Sequence, residues 1–222
     1  MRDRVDIVSQ AKHKKIHVAT RLALLLGALI GLYGCSAGGG STQLVQVPCD
    51  LPTFTPQVGQ QLLNTWGDNL VKYVTDPSFG GLYIAAGYFT MSNYTEDAVL
   101  LPTVSYVQRQ GTQELYDYFV HFLANRPVMS LPNNGESTVF AQLGCGYGSA
   151  DGYYDFQITN PETESVSIVN ARFSFVYKYE SQQIFESFMV ESGPAVGQIF
   201  RQLNKPAWYI WSQQSSVLPP KP

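Results

Sequence analysis

The rhythm of apolar and polar positions changes once along this chain of 222 residues, dividing it into a helical first part and a stranded second part. In "QVGQQLLNTWGDNLVKYVTD" (57–76), Val58, Leu62, Leu63, Trp66, Leu70, Tyr73 and Val74 recur every three or four positions. That spacing predicts a helix with one buried stripe, and Asp76-Pro77 ends it. "TQELYDYFVHFLANRP" (112–127) predicts the clearest helix: Thr112 can cap it, Leu115, Tyr118, Phe119, Phe122 and Leu123 make its stripe, and Pro127 stops it. Between them, "SFGGLYIAAGYFTMSNY" (78–94) is ambiguous, because glycines interrupt a helical face of Tyr83, Ala86, Phe89 and Tyr94. "DAVLLPTV" (97–104) reads as a short strand stopped by Pro102. From residue 137 the period falls to two. "STVFAQLGCGYGSADGYYDFQIT" (137–159) holds two strand-like runs split by glycines. "SVSIVNARFSFVYKY" (165–179) sets Val166, Ile168, Asn170, Arg172, Ser174 and Val176 against Val169, Ala171, Phe173, Phe175 and Tyr177, and "AWYIWSQQSSV" (207–217) makes a last strand. Helices first and antiparallel strands afterwards describe an α+β fold with segregated layers.

The N-terminus follows neither rhythm. Arg2, Arg4, Lys12, Lys14, Lys15 and Arg21 form a basic region, and the apolar run "LALLLGALIGLYG" (22–34) after it is short for a membrane span and flanked like a secretory signal. The run closes on "LYGC" (32–35), which resembles the bacterial lipobox, where signal peptidase cuts before a lipidated cysteine. An ordinary signal peptide or an uncleaved anchor is the competing reading. The resemblance implies a leader at 1–34, lipidation of Cys35 and a flexible tether to residue 56, beginning "SAGGGST". Ser36 after the cysteine resembles lipoproteins sorted to the Gram-negative outer membrane, where several acyl chains anchor stably. Residues 57–222 then make one domain, large enough for a core.

Charge and cysteine usage narrow the function. The chain carries 14 Lys and Arg against 17 Asp and Glu; six of the former and two of the latter fall in the leader, leaving 8 against 15 and a formal charge of −7. An acidic, Tyr- and Phe-rich domain has no electrostatic footprint for nucleic acid. With Cys35 assigned to lipid, Cys49 and Cys145 are the remaining thiols, and in an oxidising compartment a pair is the expectation. These two cysteines and His121, the one histidine beyond the leader, make a poor zinc site, and no cofactor motif is present.

Four stretches stand in order: "YTEDAVLLPTVS" (94–105), "QELYDYFVHFL" (113–123), "ARFSFVYKY" (171–179) and "QQSSVLP" (213–219). Together they resemble the bacterial relatives of the calcium/calmodulin-dependent protein kinase II association domain, within the nuclear transport factor 2-like (SnoaL-like) superfamily. The resemblance implies a cone: a strongly curved antiparallel sheet wrapped around N-terminal helices, with a pocket between them. Such cones serve as dehydratases, isomerases, cyclases, ligand binders and oligomerisation modules, so the fold leaves the function open. The resemblance places Arg172 at the arginine of an Ala-Arg-aromatic motif whose side chain faces the pocket, with a structural ion pair or a solvent-facing arginine as the alternative. Arg109 matches a second basic position, and Asp97 the acid at a strand start. Gln213 and Gln214 stand where the pattern has His-His. Glutamines can hold a ligand but exchange no proton near neutral pH. His121 is expected at the surface or rim, and Asp117 facing water. Two apolar segments, 78–93 and 180–206, are longer than the pattern and must pack on the domain or against a partner.

These readings converge on a lipid-anchored protein on the periplasmic face of the Gram-negative outer membrane. Its cone is expected to serve binding or assembly and not catalysis, without metal or cofactor. The favoured form is an accessory or structural subunit of an envelope complex such as a secretion machine, as a homodimer through the open sheet face or docked heteromerically. The competing class is a small-molecule binder, or a degenerate enzyme using Arg172, Gln213 and Gln214.

Overall fold

Thr55 opens the first helix. Its Oγ1 accepts from the Val58 N–H at 3.3 Å, Pro56 takes the first turn, and α1 runs Pro56–Thr75 with Leu63, Trp66 and Leu70 buried along one stripe. A Cβ at Gly59 would collide with the Phe140 ring, so this glycine lets α1 close onto the sheet. The structure, a computed structural model, describes residues 49–103, 105–181, 185–190, 197–201 and 207–219, the backbone alone for 185–190 and 197–201. The expected leader (1–34), Cys35 and the tether up to residue 48 lie outside the described residues.

The ambiguous stretch resolves into a helix and a strand. α2 (Leu82–Asn93) is apolar nearly all round, which suits a helix covered on most sides, and it buries Ala85, Ala86, Phe89 and Met91. Tyr94 ends it and begins β1 (Tyr94–Leu101). β2 (Arg109–Gln110), α3 (Gly111–Ala124) and β3 (Val128–Ser130) follow, and α3 buries Leu115, Tyr116, Phe119, Val120 and Leu123. β4 (Val139–Gly144), β5 (Tyr147–Thr159), β6 (Val166–Glu180), β7 (Phe185–Val190), β8 (Gly197–Arg201) and β9 (Ala207–Val217) complete the order.

The main sheet runs β2-β1-β9-β6-β5-β3, with β4 also paired to β5. Its ladders are antiparallel except β1 with β9, which is parallel. Register shifts between Tyr94 and Val99, Gln142 and Gly144, and Val176 and Tyr177 bend the strands, and the sheet stays unclosed. Helices cover one face. On β6 that face carries Ala171, Phe173, Phe175 and Tyr177, all buried, while Arg172 and the other even-numbered positions point outward.

Two additions to the expected plan meet. β7 and β8 form a separate two-stranded sheet whose backbone lies against α2, so the described strands of the second long segment adjoin the helix of the first. The lead-in before α1 is also tied down. Cys49 and Cys145 form a disulfide with 5.4 Å between Cα atoms, and the buried Phe54 ring packs against Tyr177 at 5.4 Å and Trp208 at 5.1 Å. The expected tether therefore already belongs to the domain at Phe54. Among the described residues, no helix is long and apolar enough to cross a membrane.

Candidate functional site

A cavity of about 180 Å³ lies between the helices and the sheet. α1 contributes Trp66 and α3 contributes Tyr118, Phe119 and Phe122, one face of each helix at 3.6-residue spacing. The two-residue period of the strands brings Tyr154 and Phe156 from β5, and Gln213 and Ser215 from β9, to the same face. Pro102 and Thr103, in the turn after β1, close one side. The walls are aromatic and mutually braced: Tyr154 and Phe156 have ring centroids 4.5 Å apart, Phe122 and Phe156 5.4 Å, and Trp66 and Phe156 6.1 Å.

The floor is polar and internally paired. Trp66 Nε1 donates to Tyr94 Oη at 2.9 Å, and Tyr94 Oη donates to Gln213 Oε1. Ser215 Oγ is hydrogen-bonded both to Tyr154 Oη and to Thr103 Oγ1. Gln213 and Ser215 are only 4% and 8% exposed, so an unpaired amide or hydroxyl here would carry its full desolvation penalty. Burial pushes the Tyr94 hydroxyl far above its ordinary value of 10.0, beyond what the Trp66 bond recovers. Tyr154 is also raised by burial, partly offset by hydrogen bonds from Ser215, Thr103 and Gln213. Burial raises Tyr118 as well, against the opposing charge of Arg109. The floor can therefore hold a polar ligand atom with neutral hydroxyls and an amide. The tyrosines stay protonated at neutral pH, and the amide exchanges no proton there.

Of the residues singled out from the sequence, Gln213 alone lines this cavity. Arg172 does not face the pocket. It is exposed on the outer sheet face, where its Nε donates to Ser216 Oγ at 2.8 Å, because it sits one position out of phase with Ala171 and Phe173. Gln214 lies on that outer face for the same reason, one residue from Gln213. Asp97 is exposed at the start of β1 and accepts from Trp211 Nε1 at 3.3 Å. The slight burial of Asp97 raises its pKa, but hydrogen bonds and the nearby Lys178 outweigh this and hold it below the usual carboxylate value. Arg109 is half-buried on β2, and its Nε is buried without a hydrogen-bond partner among the described residues. His121 and Asp117 are exposed on α3, Asp117 accepting from Gln113 Nε2 at 3.0 Å. Trp66, Thr103, Tyr94, Tyr154 and Ser215 complete the site and were not singled out beforehand. Tyr154 and Ser215 share the in-facing strand phase with Phe156 and Gln213, the one signal that pointed to them. Among the described residues, no group of His, Cys, Asp and Glu could hold a metal ion.

Helices packed on one face of a bent, open sheet also describe several solved structures. A calcium/calmodulin-dependent protein kinase II association domain protein from Xanthomonas campestris is 22% identical, with a TM-score of 0.50 over 78% of this chain and 98% of that one. The fold is the nuclear transport factor 2-like cone. A ketosteroid isomerase-like protein from Erwinia carotovora atroseptica is 13% identical, with a TM-score of 0.47 over 74% of this chain and 96% of its own. A nuclear transport factor 2-like superfamily protein from Salmonella enterica Typhimurium is 11% identical, with a TM-score of 0.41 over 72% of this chain and 94% of its own. No family model and no curated protein matches the sequence. At these identities the likeness carries the cone and nothing about its contents.

Proposed function

We propose that this protein is a lipid-anchored periplasmic binding protein whose cone holds a small uncharged molecule without transforming it. The observation that carries this reading is the aromatic cavity over a floor of neutral groups centred on Gln213. Apolar walls with a few convergent polar groups are the usual anatomy of a ligand site. The volume, about 180 Å³, is small against the roughly 300–1,000 Å³ of drug-sized sites, and favours a ligand of one ring. The polar side-chain groups lining it are hydroxyls, amides and the Trp66 indole N–H, which favours holding over proton transfer. The leader and "LYGC" support the anchor and the compartment.

A second reading, assembly in an envelope complex, is favoured by the outer sheet face. Tyr153, Val166, Ile168 and Trp211 are exposed there, beside Arg172.

Binding is tested on the full chain purified in detergent, by thermal unfolding with a panel of single-ring compounds. A ligand at a hundred times its Kd stabilises by about 2.7 kcal/mol, and Tm rises by several degrees. Val169→Phe, which adds a ring at the cavity wall, removes that rise. No rise with any compound, or an equal rise in Val169→Phe, sinks the reading. Cys35→Ser should move the protein from the membrane to the soluble fraction; unchanged fractionation would refute the anchor.

A further inference from the structure

The Cys49–Cys145 disulfide fixes where the lead-in joins the domain, at the turn Cys145–Gly146 between β4 and β5. Large apolar side chains stay exposed around that turn. A Cβ on Gly146 would lie 2.7 Å from Leu51 Cδ1, so Leu51, 38% exposed, rests on the turn itself. Leu143, 56% exposed, stands just before the turn on β4, and the half-buried Tyr147 just after it on β5. The Tyr147 and Trp211 rings meet edge-on with centroids 5.9 Å apart. Of the three tryptophans, Trp211 alone is exposed. It has no partner on β6, because Ile210 stands opposite Tyr177 and Ser212 opposite Val176. Such a bulge re-aims a side chain, and here it presents an indole whose Nε1 is held by Asp97 at 3.3 Å.

The chemistry of this patch and the chain that leads to it point to one surface. Tryptophan and tyrosine rings, apolar with one polar edge, favour the boundary between hydrocarbon and water, and the leucines beside them add apolar area. The neighbouring charges do not draw an anion: Asp50 and Asp97 are acidic, and Lys178 is paired with Glu180 at 2.7 Å. Cys49 lies 14 residues after Cys35, a reach of at most about 50 Å along an extended chain. A lipid on Cys35 therefore ties the domain to the bilayer at this turn. We propose that the face formed by Leu51, Leu143, Tyr147 and Trp211 lies against a zwitterionic lipid surface, with both rings at the headgroup level. A tethered domain meets that surface at high effective concentration, so a contact too weak to recruit a free protein is enough. This rests on the anchor at Cys35.

The test reconstitutes the full chain, extracted from membranes, into phosphatidylcholine vesicles with and without brominated acyl chains. The vesicles are floated and tryptophan emission is compared. Bromine quenches an indole only at close range, so emission falls in the brominated vesicles. That fall disappears in Trp211→Phe, because Trp66 is buried and Trp208 is packed against Phe54 and Tyr179. Leu143→Glu leaves the indole in place but weakens the contact about tenfold, the worth of one leucine kept from an apolar setting, and quenching drops with it. An unquenched native chain, equal quenching in Trp211→Phe, or unchanged quenching in Leu143→Glu overturns the proposal and leaves the anchor standing. A dimer in detergent that Leu143→Glu dissociates gives the face to a second copy and overturns the proposal as well. A chain that does not float with the vesicles overturns the anchor, and the proposal with it.

Discussion

Gln213 and Arg172 show how differently two polar side chains in paired strands of one sheet can be placed. Gln213 is buried and joins the Tyr94 and Tyr154 hydroxyls across the cavity floor. Gln213→Leu deprives both of this partner, and the expected loss of stability is about 1–3 kcal/mol, read from urea unfolding. Arg172 is exposed and holds one serine. Arg172→Ala should change stability by less than about 0.5 kcal/mol and leave single-ring binding as it was, measured on the same samples. A large effect of Arg172→Ala on binding would return that arginine to the pocket. The contrast was partly legible beforehand. Alternation in 165–179 separates Arg172 from Phe173 and Phe175, yet the resemblance assigned it to the pocket side. Burial of the odd-numbered positions decides the face, because a strand cannot turn Phe173 and Arg172 to the same side.

Among the elements, the lead-in and β5 are the most tightly coupled. The disulfide closes a separation of 96 residues between Cys49 and Cys145, joining the lead-in to the turn before β5. Removing it with Cys49→Ser and Cys145→Ser together should cost about 2–4 kcal/mol, visible as a lower urea midpoint that no longer responds to reductant. Gly148 on β5 lies under Phe54, where a Cβ would overlap the ring. Gly148→Ala should therefore destabilise by about 1–3 kcal/mol through overpacking, by thermal or urea unfolding. Both helices with clear stripes, together with β6 and β9, formed within three residues of where the periodicity put them. The ambiguous stretch became α2 because α1, α3 and the β7–β8 sheet surround it, and burial on most sides leaves no periodic signature.

For the whole molecule, the buried tyrosines set a pH limit. Tyr94, Tyr118, Tyr154 and Tyr177 are all pushed up by burial, and Tyr116 to about 12. Their folded values exceed the unfolded value of 10.0, so the folded chain keeps protons that the unfolded chain loses. Their contribution is complete below about pH 10 and is lost as pH climbs from there toward the folded values. The urea midpoint should be insensitive to these groups from about pH 7 to 9 and fall beyond about pH 10. A midpoint steady to pH 11 would mean the hydroxyls are not buried.

Periodicity reached the secondary structure and the α+β layering, the assignment of Cys35 to lipid left Cys49 and Cys145 as the expected pair, and the cone came from the family resemblance carried by four ordered stretches. The cavity floor was beyond them. Thr103, Tyr154, Gln213 and Ser215 come from three separate places, and only the parallel β1–β9 ladder and the β5–β6–β9 register bring them together. A hydrogen-bond network depends on which side chains meet across strands and on how many protons they bring. Neither quantity exists until the sheet has bent around its helices.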